Sequence, residues 1–314
     1  GLLVSLRPAE FSQPKGARVM IHSVPAMILD KAQLDPDRPA LRVKQSGTYR
    51  DISWREFEFN IRTFAAALLS LGLQQGERVA IMAPNGPQWV YADLGAMMVG
   101  AIVVPVYQTE TVENLLEILE DAGCRFLFMH SPFADRELVS RLEQLSGLER
   151  TILFHGSPPD DRFVGFDQFL ALAAQHDFAE LDARLAAVGG SDIASLAYTS
   201  GTTGRHKGVI LTHANILASV EDAARVFDIG PNDSCLSFLP LSHVFERIDG
   251  YYLMLNRQAL IAYAESIDTV PANLAEVRPT IVISVPRLYE KMYERIMEQV
   301  RRSSWLKRQV FFGA

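Results

Sequence analysis

Between Arg78 and His130 the chain alternates short apolar runs with helical patterns, and this alternation narrows the possible folds more than any other feature. "RVAIMA", "AIVVPVY" and "RFLFMH" read as strands, while "PQWVYADLGAMMVG" and "TVENLLEILEDAG" between them read as helices. Each run is short and bounded by Gly, Pro or Asn. The pattern predicts a β-α-β-α-β unit over residues 78 to 129, hence a mainly parallel sheet covered by helices.

The alternation continues on both sides. Upstream, Ser53 and Glu56 of "SWRE" form a reciprocal capping pair ahead of the amphipathic helix "FEFNIRTFAAALLSLG", which stops at Gly72. Downstream come a helix in "ADRELVSRLEQLSG", a strand "TILFH", a polar turn "GSPPDD" and a helix around "FDQFLALAAQH". Gly189 and Gly190 make the one linker-like break. A strand "DIASLAYTS", a helix "THANILASVEDAARVF" and a strand "CLSFLP" follow. "ALIAYA" and "TIVISV" read as buried strands, and "RLYEKMYERIMEQVRR" as a helix whose glutamates give it a solvated face. There is no internal repeat or low-complexity tract, so the expected class is α/β.

Composition removes several functions. With 314 residues, 48% of them hydrophobic, the chain has ample material for a packed core. Its net charge of -7 leaves no electrostatic footprint for nucleic acid. Cys124 and Cys235 sit in apolar segments without a metal-type spacing and read as buried reduced thiols. The stretch from Leu94 to Thr109, broken by Gly100 and Pro105, falls short of the roughly 20 residues a membrane helix needs. The first residues lack the order of a signal peptide, so a cytoplasmic location is expected. Peripheral membrane contact and a homodimer are left open.

The densest chemistry lies in "YTSGTTGRHKGVILTHANI". A buried strand running into Thr199, Ser200, Gly201, Thr202, Thr203 and Gly204 gathers backbone N–H groups and hydroxyls at one concave spot, because glycine permits close approach. Such a nest suits phosphate, and Lys207 adds a mobile positive charge. The pattern is not that of the P-loop, which needs Gly before the lysine and Ser or Thr after it, where this chain has His206 and Gly208. On these residues alone, a ligand-free Ser/Thr/Gly turn also fits.

"AYTSGTTGRHKGVILTHANI" closely resembles the phosphate-binding signature of the adenylate-forming superfamily, which groups acyl-CoA synthetases, luciferases and adenylation domains. That signature usually has a proline before the lysine, where His206 stands. "LSFLPLSHVFERIDGYYLML" resembles the next superfamily motif, and its "PLSHVFER" form is similar to long-chain fatty acyl-CoA synthetases. "TIVISVPRLYEKMYERI" and the stretch from "ISWREF" to "VVPVY" resemble the family as well, so the likeness runs from about Val24 to about Met297. The resemblance implies that His243 lines the acyl pocket near the reacting carboxylate and that Phe245 belongs to the gate of the acyl channel. By chemistry alone His243 is more often a structural histidine, and Phe245 more often core.

The implied reaction joins a fatty acid to ATP, giving acyl-AMP and pyrophosphate, and then to CoA, with Mg²⁺ arriving on ATP. Lys207 and His243 are the expected catalytic residues. Later family signatures, including a metal-binding glutamate, a ribose-binding aspartate and a C-terminal lysine, are expected beyond Ala314. Residues 1–314 are therefore predicted to be a partial N-terminal, ATP- and acyl-binding domain, inactive alone and with its C-terminal domain absent. A fatty acyl-AMP ligase serving a carrier protein and a non-catalytic acyl- or nucleotide-binding module are the alternatives.

Overall fold

The structure, a computed structural model, describes residues 22–131, 136–175, 178–200 and 206–313. The chain divides into two compact units, Gly1–Ile281 and Val282–Ala314.

The first unit opens with α1 (Val24–Ala32), followed by the antiparallel pair β1 (Pro39–Gln45) and β2 (Thr48–Ser53), then α2 (Trp54–Ser70). The expected β-α-β-α-β unit follows as β3 (Arg78–Met82), α3 (Pro87–Met98), β4 (Ile102–Pro105), α4 (Val112–Ala122) and β5 (Cys124–Met129). Next are α5 (Arg136–Glu143), β6 (Arg150–Leu153), β7 (Phe163–Gly165), α6 (Phe166–Ala171) and α7 (Phe178–Ala187). The unit continues with β8 (Ile193–Ser200), β9 (His206–Thr212), α8 (His213–Val226), β10 (Ser234–Ser237), α9 (Leu253–Asn256), β11 (Leu260–Tyr263) and α10 (Val270–Val277).

Two sheets result. The larger has seven strands in the order β7-β6-β5-β3-β4-β8-β9, parallel except for the β8–β9 pair. The smaller has the order β10-β11-β1-β2, with β10, β11 and β1 parallel. The architecture is thus α/β with mainly parallel sheets flanked by helices, as the alternation predicts. Parallel strands covered on both faces need continuous apolar runs, and β4 is buried at all four positions.

Helix α3 is buried nearly all round, so its neighbours must approach closely. Gly95 makes this possible: a Cβ there would sit 3.1 Å from the Phe64 side chain and 3.2 Å from the Ala65 backbone nitrogen of α2. Phe64 also meets Phe128 of β5 and Phe169 of α6, at centroid separations of 4.9 and 4.8 Å, which ties α2 to the larger sheet.

Three local expectations change, and one strand is added. Ser53 caps α2 by accepting the Glu56 N–H at 3.2 Å, but the Glu56 carboxylate takes Arg50 at 2.6 Å instead of completing a reciprocal box. A charged partner outcompetes a backbone amide for a carboxylate. Gly189 and Gly190 are no domain boundary: the Gly189 N–H donates to Asp192 and the Gly190 carbonyl accepts from Ala214, so both are held inside the first unit. "TIVISV" is not a buried strand; Ile281 makes a single bridge to Cys235 of edge strand β10, and Val282 is 40% exposed. Finally, β9 was hidden in the sequence by the glycine- and hydroxyl-rich stretch before it. It is an edge strand whose Val209 and Ile210 are exposed, so it lacks a buried strand's pattern.

Cys124 and Cys235 are buried free thiols, and burial pushes the Cys124 thiol up to about 12. In the second unit Pro286 opens α11 (Pro286–Arg302), with Glu298 pairing to Arg302 one turn on, and α12 (Trp305–Gly313) follows.

Candidate active site

The candidate site lies where parallel strands of the larger sheet release their carboxyl ends, the usual place for ligands in such sheets. An open cleft of about 260 Å³ is walled there by Pro105, Val106 and Tyr107, which leave β4. Glu110 and Ile118 close it from the α4 side, and Tyr198, Thr199 and His206 from the β8–β9 hairpin.

Hairpin register decides which predicted residues share a face. Thr199 pairs with Lys207, Tyr198 with Gly208 and Ser200 with His206. Directly paired residues project together and the next pair projects oppositely. Thr199 and Lys207 therefore share one face, both exposed, while Tyr198 and His206 share the other. Among the described residues Lys207 makes no ion pair, leaving its ammonium available. Gly201, Thr202, Thr203 and Gly204, and the side chain of Ser200, lie outside the described residues.

The second face is fastened to α4. Gly208 leaves room for the Tyr198 ring, since a Cβ there would come within 3.2 Å of it. The Tyr198 hydroxyl donates to Asp121 at 2.6 Å, and burial together with this carboxylate raises its pKa. His206 Nδ1 meets Glu117 Oε2 at 3.1 Å.

Tyr107 carries the site toward the second motif, its ring meeting that of His243 edge-on at 6.4 Å between centroids. His243 is exposed, and its Nδ1 accepts the Phe245 N–H at 3.1 Å. The ring proton of neutral His243 is thereby assigned to Nε2, which becomes a donor. Phe245 is 38% exposed and Val244 41%, so this stretch is not core, as residue type alone suggests for Phe245.

Beneath these exposed side chains the segment is tightly held. Asn85, in the loop after β3, donates to Ser237 Oγ at 3.0 Å and the Leu239 carbonyl at 2.7 Å, and accepts the Leu241 N–H at 3.0 Å. One amide thus clamps the exit of β10 in the smaller sheet to the exit of β3 in the larger. The Ser237 hydroxyl donates to Glu246 Oε1 at 2.7 Å. Burial pushes the Glu246 carboxyl up to about 8, which keeps it largely neutral at pH 7. Glu246 opens a π-helical stretch, Glu246–Tyr252, in which a Cβ at Gly250 would lie 2.5 Å from the Glu246 carboxyl carbon.

Arg247 is 4% exposed and ion-paired with Asp93 of α3, itself fully buried. Arg247 Nη1 also donates to Ser195 of β8 at 2.7 Å, and its Nε to Tyr252 at 2.9 Å, while the Tyr252 hydroxyl donates to Asp93 at 2.7 Å. Burial disfavours the guanidinium charge, but Asp93, with help from Tyr252 and Tyr251, outweighs this and holds Arg247 above its ordinary value. The Arg247 N–H closes back on the His243 carbonyl at 3.0 Å.

Sequence reasoning singled out His243 and Phe245 and passed over Asn85, Asp93, Glu246 and Arg247. A signal existed: Asp93 stands in an otherwise apolar helix, and a buried charge requires a partner. No group of three or more His, Cys, Asp or Glu converges among the described residues, so these do not form a cation cage. Nor is any described helix long and apolar enough to cross a membrane.

Residues 29–314 match the family model of the AMP-binding enzymes, and the chain belongs to that family. Curated relatives include the long-chain-fatty-acid–CoA ligase FadD15 of Mycobacterium bovis, 32% identical over 90% of this chain and 47% of that protein. Another is human ACSBG1, also a long-chain-fatty-acid–CoA ligase, 29% identical over 88% of this chain and 40% of its own length. The chain thus spans about half the length of these relatives. Among solved structures, the N-terminal domain of FACL13 from Mycobacterium tuberculosis shares the fold with a TM-score of 0.71 and 22% identity, over 87% of this chain and 65% of that one.

Proposed function

We propose that this chain is part of the N-terminal, ATP- and acyl-binding portion of an AMP-forming long-chain fatty acid:CoA ligase. The observation that carries the reading is the Tyr107–His243 contact, which puts the acyl-type segment beside the mouth of the β8–β9 hairpin bearing Thr199 and Lys207. The names of the curated relatives supply the substrate class.

In the first half-reaction a carboxylate oxygen attacks the α-phosphorus of ATP, forming acyl-AMP as the bond to pyrophosphate breaks. The carboxylate is already nucleophilic, so the protein's task is to position two anions and offset their repulsion. Thr199, Ser200, Gly201, Thr202, Thr203 and Gly204 grip the phosphates, and the Lys207 ammonium follows charge onto the leaving pyrophosphate. His243 Nε2–H donates to the fatty carboxylate and holds it in line, and Phe245 lines the acyl entrance. In the second half-reaction the CoA thiol attacks the acyl carbonyl and AMP leaves. Mg²⁺ would arrive bound to ATP and neutralise polyphosphate charge, since the described residues offer it no cage of their own.

The test is ATP–pyrophosphate exchange by the native protein carrying this chain, with fatty acids of varied length. Exchange that depends on a long-chain acid, and acyl-CoA formation once CoA is added, are expected. Absence of exchange with every carboxylate by a folded protein that binds ATP would reduce the chain to a nucleotide-binding module. Acyl-AMP that is formed but never passed to CoA would make it a ligase serving another acceptor.

A further inference from the structure

The contact between His206 and Glu117 is the feature of the site that neither the fold nor the proposed chemistry requires. His206 is the first residue of β9, immediately before Lys207, and stands where the family signature usually has proline. Proline there stiffens the chain by fixing φ near -65°. Histidine leaves φ free, so any restraint must come from its side chain.

The structure supplies that restraint. The His206 side chain is only 12% exposed and its Nδ1 lies 3.1 Å from Glu117 Oε2 on α4. Four residues along the same helix, Asp121 holds the Tyr198 hydroxyl at 2.6 Å. Positions 117 and 121 are stacked one turn apart. One face of α4 therefore grips both strands of the hairpin, β9 at its first residue and β8 near its last.

Strand alternation makes this grip consequential. With His206 docked on α4, Lys207 is turned to the opposite face together with Thr199. We propose that His206 is a positioning residue: its bond to Glu117 replaces the stiffness of proline and fixes the direction in which Lys207 and Thr199 meet the phosphates. The proposal rests on the phosphate-binding reading of this hairpin.

The experiment is MgATP binding by calorimetry on the native protein, comparing wild type with His206→Ala, Glu117→Gln, the double variant and His206→Pro. Each single variant weakens binding about tenfold, and the double variant weakens it no further, because both remove one contact. His206→Pro restores binding to within about threefold of wild type, since proline is tolerated at a strand's first residue. Melting temperatures stay together across the set, which separates positioning from folding. Unchanged affinity in both single variants, additive losses in the double variant, or no recovery with proline would each overturn the tie. A wild-type protein that does not bind MgATP overturns the phosphate-binding reading itself, which is a different result.

Discussion

The two strand exits linked through Tyr107, which lines the cleft and touches His243, are held by different physics. The exit of β10, leading to His243 and Phe245, rests on the half-buried Asn85 clamp and, beneath it, on buried groups: the Ser237–Glu246 bond and the Arg247–Asp93 pair with its Ser195 and Tyr252 partners. The β8–β9 mouth, with Thr199 and Lys207, is tied to α4 by two contacts nearer the surface, Tyr198 to Asp121 and His206 to Glu117. Buried polar networks are rigid and unforgiving, because every lost partner strands another group away from water. Surface ties contribute little to stability but still orient what they hold. The β10 exit is therefore built into the fold's foundation, whereas changes at the hairpin mouth are expected to cost little stability.

Substitutions should separate the two sides. Arg247→Ala leaves the Asp93 carboxylate buried and unpaired, so urea unfolding should show a loss of about 3–5 kcal/mol. A loss comparable to that of a surface change would break the contrast at its strongest point. Asn85→Ala removes three bonds that join the two sheets and should destabilise by about 1–3 kcal/mol, raising the KM for fatty acid more than that for ATP. Equal effects on both substrates would mean that the clamp serves the whole cleft.

Glu246 sharpens the contrast through pH. Its folded-state value is raised to about 8 from a usual 4.5, so the folded state binds the proton more tightly than the unfolded state. Stability contributed by the neutral carboxyl is complete below about pH 4.5 and is lost as pH rises toward 8, at a slope on the order of 1 kcal/mol per pH unit. Glu246→Gln should flatten that slope, making the variant relatively more stable at pH 8 than at pH 5. Parallel curves for the two proteins would show that Glu246 does not titrate in this window. His213 has the opposite sign. Burial lowers it to about 4 while its Nδ1 accepts the Val24 N–H, so its contribution is lost as pH falls below its ordinary 6.5. The two groups can thus be told apart in one pH series.

At the hairpin mouth, Lys207→Ala should change stability by less than about 0.5 kcal/mol, as expected for an exposed side chain. ATP–pyrophosphate exchange should nevertheless fall by about 10²–10³, the usual loss when one charge-stabilising group is removed. A large stability change would mean that Lys207 serves the fold rather than the substrate.

The alternation of apolar runs and helical patterns carried the architecture on its own. Continuous apolar strands such as "AIVVPVY" must be covered on both faces, and helices such as "TVENLLEILEDAG" supply the cover. Cap residues, the buried thiols and the spacing of the loop motif were equally legible, because each depends on neighbours in the chain. What failed were features set by distant partners. "TIVISV" has a strand's composition, yet Ile281 finds only one bridge at the edge of β10; Glu56 has the right spacing for a reciprocal cap, yet Arg50 takes its carboxylate.

The candidate site divides along the same line. Thr199, Lys207, His243 and Phe245 came from local motifs, and the structure brings the hairpin carrying the first two to the Tyr107 that touches His243. Only the tertiary structure decided that Asn85 reaches across two sheets, that Arg247 finds Asp93 across 154 positions, and that His206 rather than Lys207 faces α4. Side-chain periodicity belongs to the sequence. The partner that turns a buried charge from a liability into an anchor is chosen by packing, which brings together residues far apart along the chain.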